Sequence, residues 1–206
     1  PYGGATRGML VTVLARMSGV STSGSPWYAA GQRWAMTNGV SDGTDMTGTI
    51  TREQLTAAED AAIADLVEKE KQAGLKAVTD GEFRRAMWHL DFLEGLQNFE
   101  HVDAETWSVE FKGPKPKGAQ LVFRDKIAFG DHPFLAHFAK LRDIAGDHPA
   151  KLTIPAPSML HLIPCVRGKA TYRPIERYAD ESVLFDDIVE VYRDAVRAFY
   201  DLGCRY

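Results

Sequence analysis

The residues best suited to chemistry in this sequence follow a short apolar segment that ends at Thr79. Residues 78–96 read VTDGEFRRAMWHLDFLEGL, so that two acids, Asp80 and Glu82, come directly after the segment. The carboxyl ends of strands form the binding crevice of α/β proteins. The position of the two acids therefore predicts that they lie at the mouth of a binding site.

Glu82 is the first candidate site residue. A carboxylate just past a strand can receive a substrate ammonium through charge-assisted hydrogen bonds. The alternative is a surface ion pair with Arg84 or Arg85, which could themselves bind a ligand carboxylate. Asp80 could orient the partner of Glu82, or it could cap a following helix, a position where Asp is favoured.

Trp88 and His89 form a second candidate group eight residues after Asp80. The Trp88 ring could pack on a flat ligand, and His89 could shuttle a proton near neutral pH. Packing in the core is the alternative for both side chains, since a single Trp and a single His most often serve that purpose.

A third group lies within the segment TIPAPSMLH at residues 153–161. Its two prolines fix backbone angles and stiffen the loop, which makes Ser158 and His161 candidate pocket donors. His161 has no Cys or second His at zinc-ligand spacing. The histidines at positions 132, 137 and 148 are expected in or beside a helix, away from the binding mouth.

The elements that must position these residues alternate between helix and strand. Thr51 and Gln54 match a capping box at the start of a long amphipathic helix, and Gly74 is a natural stop. The pattern then predicts strands at Leu75–Thr79 and Lys151–Ile154. A second amphipathic helix runs from about Leu184 to Leu202, and a third covers about residues 134–145. This alternation predicts a parallel α/β fold.

Residues 98–129 interrupt the alternation. TWSVEF at 106–111 and LVFRDKIAF at 121–129 flank a turn rich in Gly, Pro and Lys, which predicts an antiparallel β-hairpin near residues 106–129. Three lysines lie in the turn: Lys112, Lys115 and Lys117. They could receive an anionic ligand, or they could simply be solvated charge.

Composition excludes some partners. The chain has 206 residues and a formal net charge of −4, so it has no large basic field for nucleic acid or anionic lipid. No run of 18 apolar residues is long enough to span a membrane. Its two cysteines, Cys165 and Cys204, lack any metal-binding spacing. They fit free thiols in a reducing cytoplasm.

Four segments together resemble a known family. They are GLKAVTDGEFRR (74–85), WHLDFLEGL (88–96), TIPAPSMLH (153–161) and YDLGCRY (200–206). In this order they resemble short bacterial relatives of cobalamin-independent methionine synthase, over about residues 50–206. Residues 1–48 lack the His-x-Gly-Ser-Phe-type motif with which the family's barrel opens.

The resemblance implies a (β/α)₈ barrel of the TIM type. Residues 49–206 would form about the first half of the barrel, with the hairpin as an insertion. Residues 1–48 would be a loop-rich N-terminal segment with a short helix within PWYAAGQRWAM at 26–36.

The implied activity is transfer of a methyl group from methyltetrahydrofolate to a zinc-activated thiol such as homocysteine. Glu82 matches the family's glutamate that binds the amino group of homocysteine. The zinc ligands are expected downstream of Tyr206, so the catalytic residues are unassigned and this chain alone is expected to turn nothing over. The resemblance leaves a homo-oligomer open.

Three alternatives share the fold. Some relatives join epoxides to coenzyme M, a thiol without an amine. A non-catalytic fragment could instead bind a small amine-bearing ligand without turnover. A decarboxylase-like relative on the same barrel would need no thiolate.

Overall fold

The computed structural model describes residues 5–104, 118–168 and 172–206. The chain divides into two compact units, residues 1–75 and residues 76–206. Within the described ranges, no helix is both long and apolar enough to cross a membrane.

The described part of the first unit contains three helices: α1 (Arg7–Met17), α2 (Ala29–Thr37) and α3 (Arg52–Gln72). Helices α1 and α2 pack around Val11, Ala35 and Met46. Residues 1–48, expected to be loop-rich, thus contain two helices, and α2 lies where the short helix was predicted.

Helix α3 has the termini that the sequence predicts. The side chain of Thr51 accepts from the backbone of Gln54, and the Gln54 side chain accepts from the backbone of Thr51. This reciprocal pair satisfies two backbone donors that have no partner within the helix. After the helix, Gly74 adopts a φ of 80°, a left-handed angle that glycine tolerates without steric cost.

The second unit combines helices with a two-stranded sheet. Among its described residues, the regular elements are α4 (Leu90–Glu94), β1 (Gln97–Ala104), β2 (Gly118–Ala128), α5 (Pro133–Ala145), α6 (Pro157–His161), a π-helix (Leu162–Arg167), a 3₁₀ turn (Glu176–Tyr178) and α7 (Glu181–Asp201). The prediction that the chain combines helices and strands is therefore confirmed, and the regular sheet is antiparallel.

The predicted parallel pairing is present but short. Val78 and Ala150 form a single parallel bridge, in which the Val78 amide donates to Pro149 and the Val78 carbonyl accepts from Lys151. The Leu152 amide in turn donates to Tyr206 at 3.4 Å. The prediction of continuous strands at 75–79 and 151–154 is thus wrong, because the regular pairing of these segments is limited to one bridge. The described residues contain no closed barrel.

Strands β1 and β2 form the antiparallel hairpin that the sequence predicts. The first strand lies at Gln97–Ala104, earlier than expected, and a register shift follows Gln97. TWSVEF, to which the first strand was assigned, lies outside the described residues, as does the predicted turn at 112–117.

Helix α7 buries the predicted apolar stripe, which includes Leu184, Ile188, Val191 and Ala195. Asp180 begins the helix by accepting from the Ser182 amide, and Gly203 follows it with a φ of 95°. The core of this unit is aromatic, with Phe92 in contact with Phe129, Phe134 and Tyr192.

Candidate binding site around Glu82

The backbone that carries Glu82 is a tight turn with left-handed angles. Gly81 has a φ of 60° and Glu82 a φ of 58°, and the Asp80 carboxylate accepts the Glu82 amide at 3.0 Å. A left-handed angle at a residue other than glycine costs roughly 1–2 kcal/mol. Asp80 therefore supports a turn rather than the helix cap that the sequence favours, because residues 81–84 form no helix.

The Glu82 side chain is held from two directions. Its Oε1 atom accepts from Nη1 of Arg85 at 3.0 Å and from Oγ1 of Thr153 at 2.9 Å. Nη1 of Arg85 also lies 3.3 Å from Oγ1 of Thr153, so the three side chains close a ring of hydrogen bonds. Both contacts to Glu82 use the same carboxylate oxygen.

Burial within this ring is uneven. The Arg85 side chain is 3% exposed, whereas the Glu82 side chain is 41% exposed. The Arg85 guanidinium carbon lies 4.6 Å from the centre of the Phe134 ring, a distance suited to a cation–π contact. Its Nη2 atom is buried and has no hydrogen-bond partner among the described residues. The arrangement is a buried cation beneath a carboxylate that faces solvent.

Trp88 and His89 lie against each other, with ring centres 4.4 Å apart. Trp88 is half-exposed and His89 is buried. Burial lowers the pKa of His89, the charge of Arg167 lowers it further, and Asp91 partly opposes both effects. Nδ1 of His89 is buried and has no hydrogen-bond partner in the part of the chain that the structure describes.

Ser158 and His161 both lie on the short helix α6, where Ser158 is exposed. Nε2 of His161 lies 2.7 Å from a carboxylate oxygen of Glu181, and the His161 ring packs against Phe185. The contacts of His161 are thus with α7. They do not connect it with the Glu82 ring.

Two of the histidines that the sequence places in or beside a helix, His132 and His137, lie at the start and in the interior of α5. Burial lowers the pKa of His137, and the positive charge of Arg84 lowers it further while Asp80 opposes the shift. The prediction that His137 lies in or beside a helix is confirmed, since it belongs to α5; its position relative to the binding mouth stays a prediction. His132 is buried between Phe92 and Phe134 and caps the start of α5.

Thr153 is the residue that sequence reasoning missed. It follows the segment that pairs with Val78, 71 residues beyond Glu82. The sequence predicts parallel pairing of the segments near Val78 and Lys151. Parallel pairing places the residues that follow the two segments at the same edge of the sheet. A polar side chain at the end of the second segment was therefore the available signal.

Lys112, Lys115 and Lys117, the candidate donor-binding residues, lie outside the described residues. Their role stays a prediction.

The described residues do not fit a metal site. No group of three His, Cys, Asp or Glu side chains among them could hold a metal ion. The Cys204 thiol donates to the Tyr206 carbonyl at 3.1 Å. The Cys165 thiol pairs with the Tyr172 hydroxyl, and burial raises the pKa of Cys165.

Comparison with curated proteins gives two relatives in Bacillus subtilis, the uncharacterized proteins YxjH and YxjG. Each is 42% identical to this chain over 160 residues, which is 77% of this chain and 40% of the relative. The chain therefore spans about two fifths of the length of these relatives. No family model matches the sequence.

Comparison with solved structures gives a Listeria monocytogenes protein described as a candidate vitamin-B12-independent methionine synthase. It is 37% identical, with a TM-score of 0.61 over 78% of this chain and 43% of its own. A B12-independent methionine synthase from Shewanella, solved with selenomethionine, is 15% identical, with a TM-score of 0.56 over 75% of this chain and 42% of its own. The second likeness is one of fold alone.

Proposed function

We propose that this chain is part of a methyltransferase of the cobalamin-independent methionine synthase type, built on a (β/α)₈ barrel. The observation that carries the proposal is the Glu82 carboxylate, fixed by Arg85 and Thr153 at the end of a parallel segment and half-open to solvent. The likeness to the Listeria protein, at 37% identity, supports the same class.

The substrate in this proposal is a thiol that carries an α-amino group, such as homocysteine. A carboxylate accepts charge-assisted hydrogen bonds from an ammonium, and Glu82 presents such a carboxylate. Asp80 supports the turn beneath it. Trp88, His89, Ser158 and His161 are proposed to line the rest of the substrate site. The methyl donor in the proposal is a methyltetrahydrofolate.

Thiol methylation of this kind uses zinc, which turns a thiol into a bound thiolate at neutral pH. The described residues do not fit such a site, because they contain no convergent set of three ligands. The role proposed for this chain is accordingly to bind and orient the thiol substrate, with the zinc ligands supplied by other residues.

Homocysteine binding to the full chain tests the role of Glu82. Glu82→Gln should weaken binding by roughly 1–3 kcal/mol, the scale of a hydrogen bond to a charged group. Calorimetry measures the affinity, and Glu94→Gln, an exposed acid paired with His101, is the matched control. Equal affinity in wild type and Glu82→Gln would remove Glu82 from the site, and it would favour relatives whose thiol carries no amine.

A labelled methyl group separates an enzyme from a binding module. The chain alone, and a version extended through any downstream coding sequence, are each incubated with zinc, homocysteine and methyl-labelled methyltetrahydrofolate, and label in methionine is counted. Label transferred by the extended version and not by the chain alone supports the methyltransferase. Homocysteine binding without transfer of label in either version would instead assign a binding role.

The three lysines in the hairpin turn are proposed to receive the anionic glutamate tail of the donor. Replacing Lys112, Lys115 and Lys117 together with alanine should make donor binding less dependent on salt. Affinity is measured at several salt concentrations, with a donor that carries one glutamate as the control. An unaltered salt dependence would leave the lysines as solubilising charge.

A further inference from the structure

We infer that Thr153, acting with Arg85, is a positioning residue for Glu82. The two side chains hold Oε1 of the carboxylate, so that Oε2 is presented to the ammonium of an amino-acid ligand. This inference rests on the proposed function of Glu82 and assigns the residue that makes Glu82 selective for amines.

The need for positioning follows from the length of a glutamate side chain. A free Glu side chain samples many rotamers, and ordering it on binding costs affinity. The two hydrogen bonds at 3.0 Å and 2.9 Å restrict that freedom before a ligand arrives. Because both bonds end on Oε1, the second oxygen takes part in neither.

The backbone of the turn directs the side chain toward Thr153. Left-handed angles at Gly81 and Glu82 reverse the chain immediately after Asp80. Strained angles persist where the surrounding structure over-determines them, and they cluster at ligand sites. The contacts of Asp80 with the Glu82 amide and of Thr153 with the Glu82 carboxylate supply that support.

Threonine has the hydrogen-bonding capacity that this position requires. Its hydroxyl donates one hydrogen bond, here to Glu82, and accepts another, here from Arg85. Valine has nearly the same shape and neither capacity, whereas serine keeps both. Thr153→Val and Thr153→Ser therefore separate the hydroxyl from the volume of the side chain.

The test compares two ligands that differ only in the amine, L-methionine and 4-(methylthio)butanoic acid. Calorimetry on the full chain gives the ratio of their affinities. Thr153→Val should weaken L-methionine binding about tenfold, a change of about 1.4 kcal/mol. Binding of the amine-free acid should be unchanged, and Thr153→Ser should keep the wild-type ratio. Thermal unfolding of each variant checks that the fold is intact.

Glu82→Gln distinguishes failure of this inference from failure of the proposed function. In the Glu82→Gln background, Thr153→Val should have no further effect on the affinity ratio, because the two residues act as one unit. If Glu82→Gln removes the preference for methionine while Thr153→Val keeps it, the positioning role is overturned and the proposed function stands. If the wild type binds both ligands equally, or neither, or if Glu82→Gln keeps the preference, the proposed function fails and the inference fails with it.

Discussion

At Glu82, the backbone and the side chain are constrained by different parts of the chain. Asp80 and Gly81 set the turn locally, whereas Thr153 reaches the carboxylate from 71 residues away. Beneath the carboxylate lies Arg85, a guanidinium that is 3% exposed. Glu82 therefore has a structural role in addition to its proposed role in binding, since it neutralises a buried cation.

The first prediction is that Glu82→Gln destabilises the fold. Removing one partner of a buried ion pair costs about 3–5 kcal/mol because the other charge is left uncompensated. Glu82 is 41% exposed, so that solvent screens part of this charge. A loss of about 1–2 kcal/mol in the free energy of unfolding is expected, measured by urea denaturation.

The matched control is Glu100→Gln, which removes an exposed acid 2.7 Å from the exposed Arg124. An exposed ion pair contributes about 0–1 kcal/mol. Equal urea midpoints of unfolding for Glu82→Gln and Glu100→Gln would show that the fold does not need Glu82 to neutralise the buried Arg85.

The second prediction concerns His132 and pH. Its Nδ1 accepts from the Phe134 amide, so Nε2 carries the proton that it donates to the Phe92 carbonyl at 2.8 Å. Burial lowers the pKa of His132 from its ordinary value of 6.5. Above about pH 6.5, His132 is neutral in both the folded and the unfolded chain. Below that pH, His132 binds a proton in the unfolded chain and stays neutral in the folded chain. Stability should therefore fall as the pH falls below about 6.5.

Urea denaturation at several pH values between 8 and about 5 measures this loss, and His132→Gln is the comparison. Burial also lowers the pKa of His89 and His137, so the variant should lose only part of the pH dependence. A pH dependence that is identical in the variant would mean that His132 does not contribute.

At the scale of the element, α7 combines an apolar stripe with one buried acid. Asp187 is 4% exposed. Two nitrogens of Arg177 donate to it at 2.8 Å and 3.0 Å, and the Tyr178 hydroxyl donates to it at 3.0 Å. Burial acts to raise the pKa of Asp187, but the hydrogen bonds from Arg177 and Tyr178 outweigh it, so the pKa lies below its usual range.

The third prediction is that Asp187→Asn loosens α7. The Tyr178 hydroxyl accepts from the Ile127 amide at 2.9 Å, so that Asp187 links the helix to β2 through Tyr178. Loss of the charged acceptor should lower the free energy of unfolding by about 2 kcal/mol. Asp186→Asn, on the exposed side of the same helix, should change it by less than about 0.5 kcal/mol. Equal effects of the two variants would contradict the link.

The elements that the sequence predicts well are those determined by neighbouring residues. The capping box of Thr51 and the stripe of α7 both follow from spacings of three and four residues. Contacts between residues that are far apart in the sequence cannot be predicted from such short spacings. The pairing of Thr153 with Glu82 and the burial of Asp187 within an apolar stripe depend on packing that periodicity does not encode.

At the scale of the whole molecule, α7 has a second apolar face. Phe185, Val189, Val196 and Tyr200 are each about half-exposed, and their spacing places them on one side of the helix. Exposed apolar surface of this kind favours association.

The fourth prediction is that the chain self-associates through this face as its concentration rises. Val189→Glu combined with Val196→Lys keeps the net charge and should reduce the association. Sedimentation velocity measures it. The control, Asp194→Lys combined with Arg197→Glu, changes an exposed ion pair on the same helix. A parent chain that stays monomeric at every concentration would contradict the prediction.

The single parallel bridge at Val78 has a consequence for hydrogen exchange. The amides of Val78 and Lys151 hold the two segments together, at 2.9 Å and 2.8 Å, and Val78 is fully buried. Both amide protons exchange when the segments separate, so their protection factors, which are corrected for the intrinsic rate of each amide, should coincide and should report the free energy of that opening. The Leu152 amide, at 3.4 Å from the Tyr206 carbonyl, should exchange much sooner. Hydrogen exchange at these two amides thus measures how readily the edge at which Glu82 and Thr153 meet opens.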